Sequence, residues 1–185
     1  MGEQHKKHSR REHLNDFHLN VAGEYVDDGA LYACQSDDAK QRRLKRAVWG
    51  MAAILIVAVI AGGCIPAPGM QNCFYVLLPY LGEFLGAASV IWALAKLGMD
   101  WSTVREYNYK KSVAVLPVRT AVTAVFSLLG IVCELIFFFV NDHAGQTFFA
   151  LLYVLLKLTA LLSALVLRAE IMQAEWDKLP KKDNF

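Results

Sequence analysis

Three ionisable residues stand inside long apolar stretches of the sequence, where a charge needs a partner. Glu83, Glu134 and Lys157 each have apolar neighbours on both sides. A buried carboxylate can pair with an ammonium, stay protonated or bind an ion. Two carboxylates and one ammonium cannot all be neutralised by pairing with one another. These three residues are therefore the candidate functional site, and the elements that carry them decide whether they can meet.

The stretches that carry these residues are long enough to cross a lipid bilayer as helices. A helix needs about 20 mostly apolar residues to span the hydrocarbon core, where every backbone polar group must be bonded within the segment. Residues 47–64, 74–97, 117–140 and 147–167 meet this requirement. The composition agrees, with 56% hydrophobic residues and a mean hydropathy of +0.33. The sequence predicts an all-α integral membrane protein with four transmembrane helices.

The connections between these helices predict how the chain is organised. Residues 65–73 and 141–146 are short, so the helices that they join must be antiparallel neighbours in one bundle. We expect a cytoplasmic N-terminal tail over residues 1–46, which ends in a basic helix next to the membrane, and a four-helix transmembrane domain over residues 47–168. Residues 169–185 are expected to form a cytoplasmic helix extension and tail.

The distribution of Lys and Arg predicts the orientation in the membrane. Basic residues resist translocation and accumulate on the cytoplasmic side. Nine of the 19 precede the first span, and the connections 65–73 and 141–146 contain none. We therefore expect a plasma-membrane protein with both termini in the cytoplasm. Four basic residues against the first span could also hold anionic lipid headgroups, although fixing the topology is a sufficient role for them. They are Arg42, Arg43, Lys45 and Arg46.

The three intramembrane charges are predicted to lie at similar heights. Glu83, Glu134 and Lys157 lie nine, six and ten residues from the predicted outer ends of their helices. At about 1.5 Å per residue, their heights differ by a few ångströms, so they can meet if they face the same way. One interpretation is a structural ion pair between Lys157 and one glutamate that fixes helix register. The alternative is that the remaining carboxylate carries a proton or cation that is being moved.

Small residues predict which helix faces pack closely. Gly82 and Gly86 form a G-x-x-x-G spacing beside Glu83, which lets another helix backbone approach. On the third span, small or weakly polar residues share a face with Glu134, and the fourth span has a similar stripe. The candidate packing residues are Gly82, Gly86, Ser127, Gly130 and Ser163.

A repeat can be drawn between the two halves of the membrane domain. Aligning Phe74 with Phe148 places Glu83 on Lys157 without a gap. If the similarity is structural, the domain consists of two helical hairpins related by an axis along the membrane normal.

The cysteines and histidines suggest one covalent link and no metal site. Cys64 and Cys73 flank the first outer connection, and we expect a disulfide between them if that side is oxidising. A His-rich N-terminus can bind metal, but the spacing here is irregular and the neighbours are cationic. We therefore expect neither a metal nor a cofactor. The histidines concerned are His5, His8, His13 and His18.

Two cytoplasmic elements are predicted outside the spans. Asp28-Gly29 stands between two short apolar runs within residues 24–32, which is typical of a β-hairpin. The alternative for this region is a tail without fixed structure. The fourth helix is expected to continue as far as Trp176 and to stop before Pro180.

Two classes of function fit these features. The first is a small transporter that moves a proton, ion or solute through the region of Glu83, Glu134 and Lys157. The second is a non-catalytic accessory or scaffold subunit of a larger membrane complex. An enzyme is not expected, because no cluster of residues has catalytic spacing. The expected partners are the lipid bilayer and either further copies of the chain or a larger complex, with no nucleic acid.

Overall fold

The computed structural model describes residues 17–19, 25–27, 31–34, 38–98, 101, 103–141 and 146–179. The prediction of four helices long and apolar enough to cross a membrane is confirmed. In chain order, the elements of the described residues are β1 (Phe17–Leu19), β2 (Tyr25–Asp27), β3 (Leu31–Cys34), α1 (Asp38–Cys64), α2 (Pro68–Asn72), α3 (Phe74–Leu97), β4 (Val104–Arg105), α4 (Glu106–Lys111), α5 (Leu116–Val140), α6 (Thr147–Gln173) and β5 (Trp176–Lys178).

The ends of the long helices follow from local sequence. Pro117 occupies the first turn of α5, where its missing N–H leaves no hydrogen bond unmade. Helix α3 ends at Leu97, and the next residue, Gly98, has a φ of 72°, in the left-handed region that favours glycine. Helix α1 begins at Asp38, so the predicted basic helix next to the membrane and the first span form one continuous helix.

The four long helices pack around a common centre in the order α1, α3, α5 and α6. Each packs mainly against the two next to it, so that α3 and α6 stand on opposite sides of the centre. Helices α3 and α5 approach each other closely at Gly86. A Cβ atom on Gly86 would lie 2.5 Å from Thr123 Oγ1 and 3.3 Å from Thr123 Cα, so only glycine fits there.

Large apolar side chains cover the outside of these helices, while three charged side chains lie inside. Glu83, Glu134 and Lys157 are all buried. This is the reverse of a water-soluble protein, in which a continuous exposed apolar surface is rare. It indicates a multi-pass helical membrane protein. The most exposed large apolar residues of the four helices are Val57, Phe74, Leu85, Trp92, Val118, Phe139, Val140, Phe148, Leu151, Leu162 and Met172.

The strands form two small sheets, and the all-α prediction omitted both. β1 pairs with β2, whereas β3 lies between β4 and β5, all antiparallel. The predicted hairpin is therefore wrong in its pairing: β2 and β3 are both strands, but each has other partners. The proposed Asp28-Gly29 turn lies outside the described residues. We call the end of the molecule that carries β3, β4 and β5 the sheet end, and the other end the α2 end.

The C-terminal segment differs from the prediction in its last residues. The fourth long helix does continue beyond the predicted span, but it ends at Gln173, and Trp176 begins strand β5. Leaving the helix lets Trp176 pack against Trp101 and Tyr109, with ring centroids 6.0 and 5.8 Å away. Tyr109 also stacks on Tyr32 of β3 at 4.3 Å. Aromatic packing of this kind favours the strand over one more helical turn.

Candidate functional site: a buried charged cluster

The three predicted charges come from three helices and are all enclosed by protein. Glu83 lies on α3, Glu134 on α5 and Lys157 on α6, with 0%, 0% and 1% of their surfaces exposed. Taking such groups out of water costs several kcal/mol per ion unless each charge is compensated. The contacts of each group therefore decide what the cluster can do.

Lys157 and Glu83 form a direct ion pair across the centre of the molecule. Lys157 Nζ donates a hydrogen bond to Glu83 Oε2. Because α3 and α6 stand opposite each other, this bond joins two helices that are not next to each other. It therefore fixes the rotation and height of both helices at once.

The second oxygen of the same carboxylate also has a partner. Ser127 Oγ on α5 lies 2.6 Å from Glu83 Oε1 and 3.0 Å from the carbonyl oxygen of Thr123. A hydroxyl has one hydrogen to donate, and a bond to a carboxylate is the stronger of the two. Ser127 therefore donates to Glu83, and both carboxylate oxygens are hydrogen-bonded.

Two tyrosine rings complete the surroundings of the ammonium. Lys157 Nζ lies 4.5 Å from the ring centroid of Tyr80 and 5.0 Å from that of Tyr153. Aromatic faces attract a desolvated cation by about 2 kcal/mol. The sequence interpretation missed both rings, although a signal was present. Tyr80 precedes Glu83 by three residues and Tyr153 precedes Lys157 by four, so each shares a helix face with its charge.

Glu134 meets a different element. Its Oε1 accepts a hydrogen bond of 3.3 Å from the backbone N–H of Gly69 in α2. A Cβ atom on Gly69 would overlap the Glu134 carboxylate, so any larger residue there would displace this side chain. Helix α2 packs on α3, α5 and α6 and thus covers this end of the core. The structure therefore separates the two carboxylates: one pairs with Lys157 and the other holds the connection between α1 and α3.

The predicted small residues lie where helices approach each other. Gly130 faces the aliphatic part of Lys157, whose Cε would be 3.7 Å from an added Cβ. Gly82 faces the ring of Phe126, which an added Cβ would approach to 2.5 Å. Ser163 is buried on α6 and donates to the carbonyl of Thr159, at 2.7 Å.

The structure does not join Cys64 to Cys73, contrary to the predicted disulfide. Both are free thiols; Cys64 is exposed at the end of α1, and Cys73 is half-buried. The prediction assumed an open loop between α1 and α3, and residues 65–73 do not form one. Residues 68–72 form α2, and Gly69 anchors it to Glu134. Without a disulfide, α2 is held by packing and hydrogen bonds.

The four basic residues predicted to meet lipid headgroups lie at the sheet end of α1. Arg42, Arg43 and Arg46 are exposed, and Arg46 Nε donates to the carbonyl of Arg42 at 3.4 Å. Lys45 is half-buried, with its Nζ 6.0 Å from the ring centroid of Trp101. Their binding to lipid headgroups stays a prediction.

Metal-binding groups of three or more His, Cys, Asp or Glu are absent among the described residues. His5, His8 and His13 lie outside that part of the chain. No protein-family model, curated protein or solved structure matches the chain. Its function must therefore be argued from its own contacts.

Two cavities bear on what the cluster can do, and neither reaches it. A space of about 10 Å³ at the sheet end is lined by apolar side chains such as Leu94 and Trp101. A groove of about 410 Å³ lies on the outer surface of α5, with Arg168 at its edge. Glu83, Glu134 and Lys157 line neither of them.

Proposed function

We propose that the protein is a non-enzymatic accessory or scaffold subunit of a larger complex in the plasma membrane. Its four long helices would form an antiparallel bundle, with both termini in the cytoplasm. The observation that carries this proposal is the enclosed pair between Glu83 and Lys157, in which every charged atom has a partner within the protein.

The surroundings of this pair favour a structural role over a moving charge. A residue that carries ions must exchange its partner for water or substrate during each cycle. Here Ser127, Tyr80 and Tyr153 surround the pair, and neither described cavity reaches it. Breaking such a pair leaves an uncompensated buried charge, so it specifies one arrangement of the helices.

The orientation is supported by the position of the basic residues. The described basic residues at the start of α1, in α4 and in β5 belong to the sheet end, while residues 65–73 at the α2 end contain no Lys or Arg. The sheet end would then face the cytoplasm, where its strands and exposed basic residues are available to another subunit. The two-hairpin repeat stays a prediction. Its equivalent residues, Glu83 and Lys157, contact each other at the centre, as an axis along the membrane normal would require.

A second candidate function, transport, is favoured by one observation. Glu134 is fully enclosed at membrane depth and binds α2, a short element that covers the α2 end. Movement of α2 would expose this carboxylate to the outside, as proton or cation carriage requires. Four helices enclose little volume, so this function would use an oligomer of the chain.

Reconstitution separates the two candidates. Purified wild-type protein and Glu134→Gln are placed in liposomes with an imposed proton, sodium or potassium gradient, and the decay of each gradient is followed. The accessory role predicts that the wild-type protein leaves every gradient as stable as in empty liposomes. It also predicts one cross-linked product with a different protein in native membranes, formed equally by Glu134→Gln.

Glu106→Gln is the matched control, since Glu106 is a surface carboxylate paired with Lys110 at 2.6 Å. A gradient that the wild-type protein and Glu106→Gln dissipate, and Glu134→Gln does not, would establish transport and contradict the accessory role.

A further inference from the structure

The outer surface of α5 carries an apolar groove with a single cation at its edge. The groove has a volume of about 410 Å³, and six of its seven lining residues are apolar. Val118, Val122 and Val125 are exposed there, while Phe126 is half-buried against Gly82 of α3. The lining residues are Pro117, Val118, Ala121, Val122, Val125, Phe126 and Arg168.

Arg168 differs from Arg119 in its contacts with the described residues. Arg119 donates from Nη1 to the carbonyl of Ser89 at 2.6 Å. Arg168 is half-buried on α6, and no ion pair or hydrogen bond links its guanidinium to the part of the chain that the structure describes. A guanidinium presents several N–H donors in a planar fork that matches the oxygens of a phosphate. Its natural partner is an anion at the membrane boundary.

The length of the groove matches one leaflet of a bilayer. Residues 117 to 126 of α5 rise by about 14 Å at 1.5 Å per residue. Half of a hydrocarbon core of about 30 Å is about 15 Å. Pro117 lies at the sheet end, level with Arg168, and Phe126 closes the groove toward the centre of the membrane. An acyl chain would therefore extend from a headgroup at Arg168 to the midplane.

We propose that this groove binds one anionic phospholipid of the cytoplasmic leaflet, with its phosphate on Arg168 and one acyl chain between Val118 and Phe126. The proposal rests on the membrane insertion and the orientation proposed above and is independent of the accessory or transport role. The cytoplasmic leaflet is rich in anionic lipid, which agrees with the cation and the apolar lining together.

Lipid titration of the purified full-length protein in mild detergent tests the proposal, with bound lipid counted by native mass spectrometry. Phosphatidylglycerol is compared with phosphatidylcholine of the same acyl chains. We expect phosphatidylglycerol to bind more tightly, and Arg168→Gln to weaken it about fivefold while leaving phosphatidylcholine unchanged. Ala121→Phe, which fills the groove with an apolar side chain, should abolish binding of both lipids.

Two control variants keep the result specific. Lys96→Gln removes an exposed cation beside Trp92 on α3, and Ala53→Phe adds the same bulk to the exposed side of α1. Both should bind phosphatidylglycerol as the wild type does, and all four variants should keep the wild-type unfolding temperature. Equal weakening by Lys96→Gln and Arg168→Gln would indicate general surface attraction and overturn the proposal.

Two further outcomes would also overturn it. Inorganic phosphate that binds to Ala121→Phe and not to Arg168→Gln would indicate a site for free phosphate. A change of oligomeric state in Ala121→Phe, with no change in bound lipid, would show that a second copy of the chain covers the groove. Failure of the protein to stay in membranes after alkaline carbonate extraction would instead contradict the membrane insertion itself.

Discussion

The half of the core nearest α2 contains Glu83, Glu134 and Lys157, whereas the half nearest the sheet contains a continuous cluster of buried apolar side chains. The first half is held by an ion pair and by hydrogen bonds to Ser127 and Gly69. The second half is held by packing. Its members include Val48, Leu55, Val90, Leu94, Leu97, Trp101, Leu116, Leu167 and Ile171.

Apolar contacts and charged contacts contribute differently to a protein in a membrane. Lipid tails are as apolar as leucine, so apolar side chains gain little from burial beyond close packing. A charge gains far more from a partner, because lipid offers it none. The apolar half therefore provides close packing, and the charged half determines which rotation and register the helices adopt.

The largest effect is expected from removing the cation of the charged half. Lys157→Met leaves Glu83 buried without its partner and should lower the free energy of unfolding by about 3 to 5 kcal/mol. Thermal unfolding in mild detergent measures this. Lys96→Met, at an exposed cation on α3, is the control and should change stability by less than about 0.5 kcal/mol. Equal stability of the two variants would show that the charged half does not determine the fold.

A smaller effect is expected from a cavity in the apolar half. Leu94 is fully buried on α3, and Leu85 of the same helix is 67% exposed. Leu94→Ala should cost about 2 kcal/mol, because packing contacts are lost while transfer from lipid contributes little. Leu85→Ala should be close to neutral in the same unfolding assay. If Leu94→Ala lowered the free energy of unfolding as much as Lys157→Met, the two halves of the core would not differ in what stabilises them.

Alanine substitutions at glycines on α1 and α3 should have still smaller effects on stability, and the two effects should have opposite signs. Gly86→Ala places a Cβ 2.5 Å from Thr123 Oγ1 and should cost about 1 to 2 kcal/mol as the helices separate. Gly50 has no neighbour within 4 Å of an added Cβ, so Gly50→Ala should stabilise α1 by about 0.5 kcal/mol. Chemical unfolding in detergent resolves the two. Destabilisation by both would indicate that the outer face of α1 is also packed.

The cysteines at the α2 end should have almost no effect on stability. Cys64 is an exposed free thiol, so a membrane-impermeant maleimide should label it on intact cells without reductant. Cys64→Ser should abolish this labelling and change stability by less than about 0.5 kcal/mol. Labelling that appears only after reduction would show that Cys64 forms a disulfide with Cys73. Labelling only in broken cells would place the α2 end in the cytoplasm.

The four long helices could be predicted from sequence because lipid imposes a local requirement. Each span must be apolar over its own length, so the bounds of α3 and the start of α6 agree with the prediction. Strand pairing is not local. β3 pairs with β4 and β5, which come from distant parts of the chain, and no nearby residue indicates these partners.

The residues of the candidate site could be predicted from sequence, but the contacts between them could not. Intramembrane charge singled out Glu83, Glu134 and Lys157, and counting along the helices placed them at similar heights. Which glutamate pairs with Lys157 depends on helix rotation, and hydropathy leaves that undetermined. The contact of Glu134 with Gly69 was also missed, since residues 65–73 read as a short loop and not as a helix that packs on the core.

A double-mutant cycle at Glu83 and Lys157 tests whether this ion pair holds the helices in register. The free energy of unfolding is measured for wild type, Glu83→Gln, Lys157→Met and the double variant. The account predicts that each single change is destabilising and that the double variant recovers most of the loss, with a coupling energy of about 2 kcal/mol or more. Additive losses within about 0.5 kcal/mol would contradict the claim that this pair holds the helices in register.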